Sequence, residues 1–285
     1  MTRVFDMPVF RSALLPVILA LALGGCASIA PSHSDAPLGK EAREALNLAH
    51  TLRDNGRLQA AYEVYARMDE KGQLDGSYLL EFASLAGAVR PPQEALGLYK
   101  RAEQALGDGA PAAQQVALCN GRGRARLSLG QAKQAERDFT CALEAQPGNA
   151  QAHNGMGVAL NLLNRNDEAR QQFEQALESD PSYSPATNNL ALSWLASGDS
   201  SKAIGLLNAA RAQDISIQLN LALAYVIAGQ DDTAQRILQD NLEAQYASQI
   251  LDNFRAARQR IQAGAPLSSE LLAASQQPLA LKEQD

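Results

Sequence analysis

A pattern of small and large residues returns every 34 positions through the middle of this chain, and it narrows the possible folds more than any other feature. In the segment Asn149 to Pro181, NAQAHNGMGVALNLLNRNDEARQQFEQALESDP, the small residues Gly157 and Ala169 mark two helical stretches. Phe173 and Ala176 follow at helical steps, and Pro181 closes the unit. Two antiparallel helices approach closely only where both facing side chains are small, and the larger Leu160 and Phe173 then fill the space beside that contact. Moved back by 34, the same places hold Gly123, Ala135, Phe139, Ala142 and Pro147. Moved forward, they hold Ala191, Ala203, Leu207 and Ala210, with Trp194 for Leu160 and Ile215 for the closing proline. Ala61 with Tyr65, Ala95 with Tyr99, and Ala234 with Leu238 extend the series outward.

This unit resembles the tetratricopeptide repeat, and the resemblance implies an all-α solenoid of about six helix-turn-helix units. The marker alanines Ala61, Ala95, Ala135, Ala169, Ala203 and Ala234 are spaced by 34, 40, 34, 34 and 31. The longer step falls at Gly107-Asp108-Gly109-Ala110-Pro111, a turn-rich insertion, and the shorter one near residues 213–216. Turns within units are expected at Asn55-Gly56, Gly130-Gln131, Asn164–Asn166, Gly198-Asp199 and Gly229-Gln230. Composition agrees: 46% of residues are hydrophobic, only 5% are aromatic, and no stretch alternates as a strand would. Beyond Leu242, Tyr246, Ile250, Phe254 and Ile261 recur at helical steps, as a capping helix over the apolar end of a solenoid would require. The repeat region is thus expected over residues 41–263, with a disordered polar tail over 264–285.

The first 25 residues differ in kind. Arg3 and Arg11 precede the uncharged run SALLPVILALAL, which is shorter than the roughly 20 residues of a membrane span but suits a secretory signal. Leu23-Gly24-Gly25-Cys26 resembles the bacterial lipobox. The resemblance implies cleavage before Cys26, lipidation of that cysteine, and a membrane anchor. Residues 26–40 then form the lipidated end and a Ser-, Pro- and Ala-rich flexible tether. Ala27 stands where lipoproteins kept in the inner membrane carry Asp, so the expected address is the outer membrane, facing the periplasm. Loss of Arg3, Asp6 and Arg11 leaves 23 basic and 30 acidic side chains, a balance that does not favour nucleic acid or anionic lipid.

Residues with catalytic or ligating chemistry are sparse. The three histidines have no metal-ligand spacing, no HExxH, CxxC or phosphate loop occurs, and Gly121-x-Gly123 falls inside a repeat helix. Neither an enzyme, nor a cofactor, metal or small-molecule substrate is expected. Cys119 and Cys141 fall on the two helices of the third unit, where they either form a disulfide or remain two small packed thiols.

The concave face, lined by first helices, is the expected binding site. Asn120, Asn154 and Asn188 stand 34 apart at equivalent places. Such a ladder of amides would hold an extended peptide backbone, with Arg124 and Asn161 on the same face. Equally, asparagine at this place satisfies neighbouring helix ends. Toward the C-terminal half, Leu192, Leu195, Leu223 and Val226 would turn the groove apolar, unless the capping segment fills it.

A lipobox followed by about six such repeats is similar to the TadD-type assembly lipoproteins of the tight-adherence (Flp) pilus. That resemblance implies a pilotin-like role, in which the protein partner is the outer-membrane secretin or another component of the pilus machine. Adaptor lipoproteins that dock peptidoglycan hydrolases or proteases share the architecture and are the alternative.

Overall fold

A computed structural model describes residues 38–210, 214–267, 270, 271 and 274. The signal sequence, Cys26 and residues 275–285 lie outside the described residues. Among the described residues are thirteen α-helices and no strand, paired in chain order. α1 (Lys40–Asp54) and α2 (Leu58–Glu70) form the first unit, α3 (Gly76–Val89) and α4 (Pro92–Leu106) the second. The third is α5 (Ala112–Ser128) with α6 (Ala132–Ala145), and the fourth α7 (Ala150–Leu162) with α8 (Asn166–Ser179). The fifth is α9 (Ser184–Ala196) with α10 (Ser200–Ala209), and the sixth α11 (Ile215–Ile227) with α12 (Asp231–Asn241). α13 (Ala244–Gln262) follows. This is the all-α solenoid that the repeat predicts. From α3 onward each odd-numbered helix also packs on the next odd-numbered one, so these helices line the inner, concave side.

The turns show why the units repeat. In the first, third, fourth, fifth and sixth units the residue at the turn has positive φ: Gly56, Gly130, Asn164, Gly198 and Gly229. Each donates its N–H to the carbonyl three residues back, and the next residue reaches five back, as in Gly198 to Leu195 and Asp199 to Trp194. That double closure satisfies the last carbonyls of the first helix and turns the chain at a left-handed residue. The second unit instead turns at Arg90-Pro91-Pro92, without a positive φ.

The core is a column of large side chains on the even-numbered helices. Tyr65, Tyr99, Phe139, Phe173, Leu207 and Leu238 are each at most 1% exposed. Room for the rings comes from glycines on the odd-numbered helices. A Cβ on Gly123 would lie 2.7 Å from Phe139 Cζ, and one on Gly157 would overlap the Phe173 ring. Gly121 and Gly155 make the same allowance for Tyr99 and Phe139 of the preceding units. Gly121-x-Gly123 is therefore a pair of ring seats, one for Tyr99 of the preceding unit and one for Phe139 of its own.

Two covalent and terminal features stand out. Cys119 on α5 and Cys141 on α6 are joined in a disulfide, with Cα atoms 6.0 Å apart. At the other end the chain departs from the disordered tail expected from residue 264. Gly264 has positive φ and the same double closure, with Ala265 bonding back to Arg260. Residues 267, 270, 271 and 274 are helical, and Leu271 and Ala274 are each 2% exposed in one core cluster with α11 and α13. Arg260 also pairs with Glu270 across the turn. Past α13, which caps the stack, the chain thus turns at Gly264 and brings Leu271 and Ala274 back onto the same core.

Candidate peptide-binding face

The inner helices place Asn120, Asn154 and Asn188 at equivalent points, but not as an open ladder. Their exposures are 3%, 0% and 5%, and each amide is engaged by the following unit. Asn189 Nδ2 donates to Asn154 Oδ1 at 2.8 Å, and Asn220 Nδ2 donates to Asn188 Oδ1 at 2.9 Å. Asn188 Nδ2 in turn donates to Ser216 Oγ at 2.8 Å, and Asn120 Nδ2 to Asn149 Oδ1 at 3.1 Å. Asn149 caps α7, accepting from the Ala152 N–H, and Ser216 follows the Asp214 cap of α11. The expected ladder is therefore corrected in direction: these amides chiefly tie unit to unit and satisfy helix ends.

The apolar half of the groove is corrected as well. Leu195, Leu223 and Val226 are completely buried in the C-terminal core, because α11 packs between α9 and α13 and closes over them. Leu192 is only half-buried against that cluster. Trp194 faces the other layer, where Arg170 of α8 and Lys202 of α10 lie 4.6 and 3.9 Å from its ring centroid.

What remains polar and open to a partner lies between α5 and α9. Arg124 is half-buried and makes no side-chain hydrogen bond or ion pair among the described residues. Asn161 is half-buried, and its Oδ1 is enclosed without a partner. Asn120 Oδ1 and Asn154 Nδ2 are likewise buried and unpaired. At the N-terminal end the face changes character. Glu81 Oε2 accepts from Tyr65 Oη at 2.6 Å, His50 Nε2 at 2.8 Å and Arg53 Nη1 at 3.3 Å. Burial alone would raise the Glu81 carboxyl, but those partners outweigh it and hold the pKa below the ordinary value. Burial, with Glu81 beside it, pushes the Tyr65 phenol up.

Sequence reasoning missed Asn149, Asn189 and Asn220, the partners of the ladder. Their separations of 29, 35 and 32 from the residues they bind are close to one repeat length, which is the signal that would have found them. Among the described residues no group of three His, Cys, Asp or Glu is placed to hold a metal, and no helix is long and apolar enough to cross a membrane.

A chain of these units, with ring seats and turn closures repeated at 34-residue steps, is a tetratricopeptide-repeat solenoid. The tetratricopeptide repeat family matches residues 120–184 and 163–217, from within α5 of the third unit to the start of α11. Solved structures agree on the fold. A thermophilic repeat protein of Thermus thermophilus superposes with a TM-score of 0.55 at 21% identity, over 65% of this chain and 99% of that one. A repeat protein of Parabacteroides merdae gives 0.56 at 19% identity, over 83% of this chain and 99% of that one. MamA of Desulfovibrio magneticus gives 0.51 at 16% identity, over 62% and 99%. A comparison with curated protein sequences finds no match.

Proposed function

We propose that this chain is a protein-binding scaffold anchored in the outer membrane, working in tight-adherence pilus assembly as a pilotin-like partner of the secretin. The observation that carries the proposal is the union of the lipobox Leu23-Gly24-Gly25-Cys26 with a repeat solenoid whose first helix begins at Lys40. Residues 27–39, fully extended, reach about 45 Å, enough to hold the solenoid near the membrane while letting it turn toward a partner. Anchoring raises the local concentration of partner without any new contact. The Cys119–Cys141 disulfide supports an oxidising compartment such as the periplasm. The inner face, with Arg124, Asn161 and half-buried Leu192, is the surface offered to a segment of the secretin or another pilus component.

Deletion of the gene is expected to abolish secretin multimers in the outer membrane and, with them, pili. A deletion strain that still assembles both would overturn the proposal. Capture from the outer membrane with Cys26 intact should recover the secretin. Recovery of peptidoglycan hydrolases or proteases in its place would assign the chain to the adaptor lipoproteins.

A further inference from the structure

The Cys119–Cys141 disulfide sits where two cores meet, and its two sulfurs are unequal. Leu118 on α5 belongs to the core cluster of the first two units, and the next residue, Cys119, to that of the third and fourth. The bond therefore pins a helix that both clusters share, and that helix begins just after the insertion at Gly107 to Pro111. Cys119 is 2% exposed, whereas Cys141 on α6 is only half-buried against the same cluster. In thiol–disulfide exchange a thiolate approaches one sulfur along the line of the bond, and the other sulfur leaves opposite to it. The enclosed sulfur cannot be approached in this way. Cys141 can, from the outer side of α6, and that makes Cys119 the leaving group.

The surroundings of Cys119 suit that role. A buried thiolate is disfavoured unless a positive group lies beside it. Arg122, one turn along α5, brings its Nη2 to 3.9 Å from Cys119 Sγ. Its guanidinium is held there by Asp138 Oδ1 at 3.0 Å and by Glu103 of α4. Arg126 takes the other Asp138 oxygen at 2.6 Å, so Asp138 does not draw on Arg122 alone. On α6 the exposed Arg137 and Glu144 stand one turn to either side of Cys141, so their charges oppose each other and access selects the outer sulfur. The hairpin also has what it needs to stay closed without the bond. Phe139 is seated on Gly123 across the same two helices, and Ala135 and Ala142 are completely buried.

We propose that Cys119–Cys141 is a redox switch opened by a dithiol reductant. A thiolate of the dithiol attacks Cys141 Sγ, the S–S bond breaks, and its electron pair leaves with Cys119, which takes up a proton. The second thiol of the reductant then attacks its own sulfur in the mixed disulfide, so that Cys141 is released as a thiol and the reductant leaves as a disulfide. Two electrons and two protons pass to the protein, the fold is kept, and the joint between the second and third units loosens. The inference needs only the bond and its surroundings, so it is independent of the proposed pilus role.

The test exposes the purified full-length protein to reduced glutathione at neutral pH, quenches in acid, and alkylates with N-ethylmaleimide in denaturant. Peptide mass spectrometry then reads Cys119 and Cys141 separately, whatever the state of Cys26. Glutathione is expected on Cys141 and maleimide on Cys119. Glutathione on Cys119, or no adduct on the folded chain, would overturn the proposal. Dithiothreitol should open the bond completely with the helical circular dichroism kept, while amide hydrogen exchange in α5 and α6 rises several-fold relative to α7. Loss of helicity on reduction, or unchanged exchange, would make the bond structural and overturn the switch. Arg122→Gln should slow the opening several-fold, and Arg122→Lys, which keeps a charge for Asp138, should restore most of the rate. Equal rates in all three proteins would overturn the part assigned to Arg122.

Discussion

Glu81 brings a carboxylate to a position 6% exposed, where only its three donors make the charge tolerable. A carboxyl whose folded pKa lies below its unfolded value stabilises the fold above the unfolded pKa and loses that contribution as pH falls through the folded one. Glu81→Gln should therefore cost about 2 kcal/mol at pH 7, by weakening hydrogen bonds to a charged acceptor. The gap between variant and wild type should narrow as pH drops below 4.5, the ordinary carboxyl value. Urea denaturation at pH 7 and pH 3.5 measures both, and a gap that stays constant would contradict the assignment. Much of the ring packing was legible from residues such as Gly157, Ala169 and Phe173, because a small residue opposite a large one is a local, repeating demand. The direction of the asparagines was not. From one side chain on an inner helix the sequence does not say whether it points into the groove or sideways to the next unit, and Asn189 and Asn220 decide that from a repeat away.

At the level of helices, the turn closure recurs after α13, where Gly264 sends the chain back onto the end of the stack. Ala257 precedes Gly264 by the same seven positions that separate Gly123 from Gly130 and Ala191 from Gly198. The packing after this turn was hidden in the sequence because the marker alanine of the earlier units has no counterpart there: Ser269 stands at the equivalent step. What replaces it is Leu267 and Leu271, on one helical face. Removing residues 264–285 should strip those side chains from α13 and cost about 3 kcal/mol, from the loss of roughly two buried leucine contacts. Thermal unfolding followed by circular dichroism should then shift down by several degrees. An unchanged midpoint would mean this segment contributes nothing to the end of the stack. The buried leucines of the expected groove belong to the same lesson, since Leu195 and Leu223 are spaced like groove residues and only the packing of α9, α11 and α13 shows that they are core.

Across the whole molecule, stability is the sum of units and the contacts between neighbours, so a solenoid melts most readily from its ends. The disulfide in the third unit closes a separation of 22 residues, and a loop of that size gives about 3 kcal/mol. Reduction should lower the melting midpoint by roughly 6–12 °C for a chain of this size; an oxidised and a reduced sample that melt together would show the bond to be inconsequential.

The same bond has a mechanical meaning. A scaffold held by its N-terminal end at a membrane, and by its face to a growing assembly, bears tension along the chain. With the anchor proposed above at Cys26, the first two units lie between it and Cys119, and no disulfide keeps either of them from being drawn out. The stretch between Cys119 and Cys141 cannot lengthen while the bond is intact, so full extension of the oxidised chain falls short of the reduced one by about 70 Å. Single-molecule stretching would read that difference directly. Under load the bond is a stop, and pulling on the N-terminal side cannot lengthen the stretch it closes.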